Sequence, residues 1–235
     1  MGFVSPKSIE QQDIRSIHRI REHLKTRLTA QTNQIRGLLL EYGIAIPKGK
    51  RHLMKRLPEV IADEGNGLRP IFREQLNGLY AEVNHLEERI ISLEKKLGLI
   101  SKQSQDCRLP MTIPGMGLLT ATALLAAIGD PSVFKSAREP AAWLGLVPRQ
   151  FSTGGKSTLL GISKRGDKYL RTLLVHGGRS VVRIWDKHLN TRNQWITRLR
   201  ERRGENISAM AVANKNARTA WTVLTKKRPY ALVSA

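Results

Sequence analysis

The sequence has a single cysteine, Cys107, so no disulfide can form within the chain, and this usage fits a reducing compartment. Long apolar runs are missing too. The longest, Leu118 to Gly129, is too short to span a bilayer, and its small residues suit helix packing. No charged stretch followed by an apolar one marks a signal peptide. The six histidines are scattered, and no Cys or His spacing suits zinc. Acidic residues are scarce as well: 19 Asp and Glu stand against 40 Lys and Arg, a formal net charge of +21. That imbalance does not choose a fold, but it demands a polyanionic partner. A membrane is excluded by the missing apolar span. What is left is a cytosolic protein that binds DNA or RNA.

The basic excess is unevenly placed. Residues 1–110 hold 19 basic and 13 acidic side chains, whereas residues 111–235 hold 21 and 6. The second part is therefore the expected nucleic-acid surface. A chain of 235 residues has room for one large domain or two small ones with a real core.

Helical periodicity dominates what is present. Ser8 with Gln11 three residues on forms a capping-box pattern after Pro6, and Ile17, Ile20, Leu24, Leu28, Ile35, Leu38 and Tyr42 follow at helical spacing. Gly43 and Pro47 stop this helix, and a short one is expected over Leu53–Ala62, before Gly65-Asn66-Gly67. Phe72, Leu76, Leu79, Val83, Leu86, Ile90, Leu93, Leu97 and Ile100 then alternate four and three apart, a heptad seam. Such a seam serves either an intramolecular hairpin against the first helix or a dimer, and both can hold in one assembly. Ser101 to Arg108 is polar and reads as a linker. The composition shift there divides the chain into a helical coiled-coil and dimerisation region, 1–108, and a DNA-binding domain, 109–235. The expected fold is mainly α: a long helical coiled-coil hairpin, then a small helical domain with a helix-hairpin-helix element.

That element is Ile113-Pro114-Gly115-Met116-Gly117 ahead of the small-residue helix from Leu118. Gly115 and Gly117 let the turn approach a phosphate, and the helix behind offers unpaired N–H groups at its positive end. The competing reading is a tight turn that packs a small helix against a neighbour. A short helix ending at Gly145 and closed by Pro148 comes next.

Gln150 to Thr158 reads as a flexible glycine-rich loop that presents hydroxyls and Lys156 to a phosphate. Gly155-Lys156-Ser157 invites a nucleotide-binding P-loop, but that motif needs a glycine where Gln150 stands, after a buried strand. Behind the loop come Lys164 and Arg165, then a helix from Lys168 to about Trp185. At 100° per residue, Leu170, Leu173, Leu174, Val181 and Ile184 share one side of it. Lys168, Arg171, Arg179 and Arg183 share the other, with His176 at its border and no balancing acids. Gly177-Gly178 in the middle suggests close packing. A basic cluster, Arg198–Arg203, precedes a last helix, Ile207 to about Thr225, with Met210, Ala217, Trp221 and Leu224 inward and Lys226-Lys227-Arg228 at its end.

Four blocks in order resemble one family: Ile113-Pro114-Gly115-Met116-Gly117, Ala142-Trp143-Leu144-Gly145-Leu146-Val147-Pro148-Arg149-Gln150, Ser152-Thr153-Gly154-Gly155-Lys156 and Gly161-Ile162-Ser163-Lys164-Arg165-Gly166-Asp167. The chain resembles transposases of the insertion sequence one-ten family, and within it the one-one-one-one subgroup. The resemblance covers essentially the whole chain. It implies DNA transposition by attack of a serine on a DNA phosphate, in the bacterial cytosol or nucleoid. It also implies a guide RNA, and a homo-oligomer joined through the coiled coil.

The family carries a RuvC-like domain first, with four acidic ligands for divalent metal, Mg2+. This chain starts beyond it, so no metal site or cofactor is expected here, and the polypeptide is expected to be truncated and inactive alone. The alternative is a non-catalytic, dimerising remnant that binds nucleic acid and modulates intact transposase. The family nucleophile falls in the pair Ser152-Thr153, and the less hindered primary hydroxyl favours Ser152. Lys156, Lys164 and Arg171 are the candidate stabilisers of the transition state. Gly115, Gly117, Arg149, Lys156, Lys164, Arg165, Lys168, Arg171, Arg179 and Arg183 are the candidate DNA contacts.

Overall fold

A computed structural model describes residues 7–184 and 191–231. They form eight α-helices and one two-stranded antiparallel sheet, so the fold is mainly α, as the periodicity requires. The chain divides into two compact units, Ser16–Lys96 on the one hand and Met1–Arg15 with Leu97–Ala235 on the other.

The helices of the first unit are α1 (Ile9–Glu41), α2 (Lys50–Ala62) and α3 (Pro70–Gln103), of which α1 and α3 continue beyond it. The capping box forms: the Gln11 amide donates to Ser8 Oγ at 3.2 Å and the Ser8 amide to Gln11 Oε1 at 3.1 Å. Along α3 the seam is covered from within the chain. Leu76 and Val83 are buried with Ile35 and Leu39 of α1 and Leu53 and Leu57 of α2, while Leu86 and Ile90 pack on Leu24. Burying such side chains contributes roughly 1.5–3 kcal/mol each, enough to make the seam an intramolecular core. The nearly buried Arg21 donates from Nε to Glu94 Oε1 at 2.7 Å, tying α1 to α3 beside that core.

The second unit holds α4 (Gln105–Met111), α5 (Leu118–Ile128), α6 (Arg138–Trp143), α7 (Lys168–Ile184) and α8 (Thr191–Lys226), with β1 (Pro148–Thr153) and β2 (Lys156–Ile162) between α6 and α7. The stretch expected as a polar linker is helical instead. Ser104 breaks α3 from α4 and caps the latter by accepting from the Cys107 amide, which lets Cys107 and Leu109 reach the interior. The core gathers Ile113, Leu124, Leu144, Leu170, Leu174, Ala217 and Leu224, and Trp221 at its edge donates from Nε1 to Pro131 O at 2.9 Å.

Two expectations about α7 and α8 need correction. Ile184, placed inward by the helical wheel, is 64% exposed, and Val175, Gly178 and Val182 are buried instead. The wheel centred the apolar arc on the leucines and missed how far the small Gly178 lets α8 approach. Trp185 lies outside the described residues. The basic cluster Arg198–Arg203 is itself helical, so α8 reaches back to Thr191, while the part beyond Gly204 corresponds to the helix expected from Ile207. A non-helical Gly204, at φ 77° and ψ 172°, breaks α8 in two.

Candidate nucleic-acid interface

The segment Gln150–Thr158, expected as a loop, is a β-hairpin. Gly154 and Gly155 take φ of 55° and 77°, the paired positive angles of a two-residue type I′ turn. The register sets Gln150 against Leu159, Phe151 against Thr158, Ser152 against Ser157 and Thr153 against Lys156. Since β2 begins at Lys156, no helix N-terminus follows the glycines, and the P-loop alternative has no structural footing.

Alternation along the strand divides the two candidate nucleophiles between opposite faces. Ser152 lies with Gln150, Ser157 and Leu159, and Gln150 Nε2 donates to Ser152 Oγ at 3.1 Å. Thr153 lies with Phe151, Thr158 and Lys156. The ammonium expected to steady a transition state is therefore on the threonine side. All of β1 is exposed, and Phe151 and Leu159 are 60% and 68% exposed. A two-stranded hairpin with bare apolar residues is marginal in water, so its surface is suited to contact with something else.

The root of the hairpin is firm. The Ser163 amide donates to Val147 O at 2.8 Å and the Lys164 amide to Gly145 O at 3.1 Å. Arg171 Nη1 donates to Leu144 O at 3.1 Å and to Arg165 O at 2.9 Å, so this candidate contact is engaged in joining α6, the root and α7. Asp167 starts α7 by accepting from the Leu170 amide at 3.0 Å.

Past that cap, Lys168, His176, Arg179 and Arg183 form an exposed face of α7, continuous in sequence with exposed Lys164 and Arg165. The helix contains no acidic residue. Its far end is not free of acids, however: Glu205 shares a recess of about 140 Å3 with Arg179 and Arg183, and its carboxylate pairs with Arg200 at 3.5 Å. Arg149 is exposed on β1.

Gly115 and Gly117 separate in role. Gly115, at φ 86°, lies against α7: a β-carbon there would be 2.6 Å from Val181 Cγ2 and 2.7 Å from the Gly177 carbonyl oxygen. That is the packing the competing reading foresaw. Gly117 is exposed, caps α5 without a side-chain bond and has open space around it. Among the described residues no three His, Cys, Asp or Glu side chains gather where a metal ion could be held. Nor is any described helix long and apolar enough to cross a membrane.

Sequence reasoning passed over one basic surface, the outer side of α8. Lys215 and Arg218 are exposed there, and the Lys215 ammonium stands 4.5 Å from the centre of the Trp195 ring. Partial burial, then the charges of Arg192 and Arg218, hold the Lys215 pKa below the usual lysine value. The signal was available: residues 206–235 contain no Asp or Glu.

Comparison with known proteins adds a name to this geometry. Residues 107–194 match the family model for the transposase IS116/IS110/IS902 family. The transposase for insertion sequence element IS1111A of Coxiella burnetii is 43% identical over 230 residues, covering 98% of this chain and 63% of that protein. A probable family 20 transposase of Pseudomonas aeruginosa is 43% identical over 231 residues, covering 98% of this chain and 68% of its own length. The transposase for insertion sequence element IS1328 of Yersinia enterocolitica is 39% identical over 226 residues, covering 96% and 67%. The chain thus spans about two thirds of the length of these relatives. It belongs to the IS116/IS110/IS902 family of transposases.

Proposed function

We propose that this chain acts in DNA transposition, gripping the sugar-phosphate backbone and presenting a hairpin hydroxyl to it. One observation carries the reading: the exposed hairpin with Ser152, Thr153 and Lys156 runs through Lys164 and Arg165 into the cationic face of α7. Lysines and arginines in such a row neutralise successive phosphates without reading sequence. In the reaction, the oxygen of Ser152 forms a new bond to phosphorus while the bridging phosphorus–oxygen bond of the strand breaks. The hydroxyl gives up its proton, and the departing sugar oxygen gains one. Lys164 and the exposed α7 cations offset the charge that develops on the phosphoryl oxygens.

The strand register favours Thr153 as the alternative nucleophile, since it sets Lys156 opposite that residue on the same face. The bond that Ser152 accepts comes from an amide, which takes up no proton. The family implies a divalent metal, but the described residues do not form a site for one. DNA, a guide RNA and a second copy of the chain are the proposed partners, in the bacterial cytosol.

The test mixes the purified chain with element-end DNA and Mg2+, with and without a full-length relative, and looks for a protein–DNA adduct stable to denaturant. Loss of the adduct in Ser152→Ala but not in Thr153→Ala supports the serine; the reverse transfers the role to the threonine. DNA binding with no adduct under any condition supports a second reading, a nucleic-acid-binding modulator of intact transposase. A chain that does not bind DNA at all ends both.

A further inference from the structure

A groove of about 840 Å3 runs along the outer side of α8, between the root of the hairpin and the segment that follows the helix. Its lining includes Lys215, Arg218, Lys226 and Arg228 and two aromatic rings, Trp195 and Tyr230, with no acidic residue among the described residues. We propose that this groove binds an unpaired nucleotide of a nucleic-acid strand, its base against the aromatic rings and its phosphates against Lys215 and Arg218. The proposal rests on the nucleic-acid reading given above and adds to it a second, strand-selective site.

The spacing of the cations follows from the helix. Lys215, Arg218, Thr222 and Lys226 recur three or four apart and so stand on one face of α8. Among the described residues no acidic side chain lines that face. Instead, the Lys215 ammonium rests 4.5 Å from the Trp195 ring centre, and the Arg192 guanidinium lies 5.5 Å from that of Tyr230. The Lys215 ammonium, set against a ring face, stays exposed to an incoming phosphate.

The lining favours an unpaired strand. The groove walls also include Met210, Pro148 and Ile162, apolar surface suited to the face of a base, which stacking covers in a duplex. An unstacked base can enter, and stacking on an aromatic side chain is insensitive to which base it is. The volume is in the range of about 300–1,000 Å3 usual for sites that enclose a small ligand. The shared chemistry, an aromatic base joined to a phosphodiester, is common to DNA and RNA.

The experiment measures anisotropy of labelled oligonucleotides on the full 235-residue chain. The probes are thymidine and uridine strands of about a dozen nucleotides, and a DNA duplex of similar length. Lys215→Ala/Arg218→Ala, both on exposed side chains, should weaken a single strand about tenfold or more near 0.1 M salt. The salt slope for that strand should fall by roughly one to one and a half, while duplex affinity is kept. Thr222→Glu, which sets a carboxylate into the groove without emptying it, should act in the same direction. The two sugars show which strand is preferred, and loss of either in the variants supports the site. Unchanged single-strand affinity in both variants overturns it, as does equal loss of single strand and duplex. Displacement of the strand by polyglutamate at lower concentration than by unlabelled strand also overturns it, in favour of an acidic peptide. Arg179→Ala/Arg183→Ala keeps the two readings apart: if duplex binding falls there while the groove variants do nothing, the general function stands and the groove proposal fails.

Discussion

The backbones of Gly115 and Gly177 touch, so closely that a β-carbon on Gly177 would stand 1.8 Å from the Gly115 carbonyl oxygen. Its neighbour Gly178 faces the other way, where a β-carbon would stand 2.4 Å from the carbonyl oxygen of Ala209 in α8. Two adjacent glycines thus let α7 be approached from two sides at once. Gly177→Ala should destabilise the protein by about 2–4 kcal/mol despite the better helix propensity of alanine. Gly37→Ala in α1, where nothing lies within 4 Å, should stabilise it by roughly 0.5–1 kcal/mol. Urea midpoints of the two variants test both signs.

Arg171 and the outer arginines of α7 should separate in their effects. Arg171→Ala removes charged donors from the Leu144 and Arg165 carbonyls and should cost about 1.5–3 kcal/mol of stability. Arg179→Ala/Arg183→Ala should change stability by no more than about 0.5 kcal/mol per site. The same pair should lower the salt slope of duplex DNA binding by about two. Denaturation and binding isotherms across a salt series distinguish the two behaviours.

Burial, and secondarily the charge of Arg21, lower the His18 pKa from 6.5 to about 4. The unfolded chain therefore takes up a proton as pH falls through its ordinary value, while the folded chain resists until about 4. Stability should decline over that window by up to about 3 kcal/mol and show no dependence on this group above it. Carboxylates titrate in the lower part, so the clean range is its upper half. His18→Leu should flatten the urea midpoint there; an unchanged slope would show that His18 is not the cause.

At the hairpin tip, Gly155→Val forces a branched side chain to φ 77° and should cost about 1–2 kcal/mol locally. Gly154→Asn should be tolerated, because asparagine accepts that position of the turn. The hairpin contributes nothing buried to the core, so the global midpoint should remain in place. Amide exchange over Gln150–Leu159 is the measurement that would register the change.

Much of this architecture could be read from residue spacing. The capping box at Ser8, the seam of α3 and the one-sided charge of α7 are local or periodic, and periodicity reports which side of a helix is buried. The hairpin was missed because polar residues and glycine also signal a loop. Gly154-Gly155 between two extendable runs was the turn signal that separates the cases. The roles of Gly115 and Arg171 were illegible for another reason. Both depend on partners far along the chain, at Gly177 and at Leu144, and one-dimensional spacing does not bring such partners together. The cation-lined groove of α8 combines residues from Pro148 to Tyr230, and only folding assembles it.

The stitched root beneath β1 and β2 has a mechanical corollary. Ser152 lies four residues beyond Pro148, a reach of about 13 Å at strand rise. A rocking of about five degrees at such a pivot would sweep the hydroxyl through about an ångström, a displacement that can cost a reaction a hundredfold in rate. On the proposed function, aim would be set at the Arg171 clamp rather than at the tip, and loosening that guanidinium would slow the proposed attack without touching either hydroxyl.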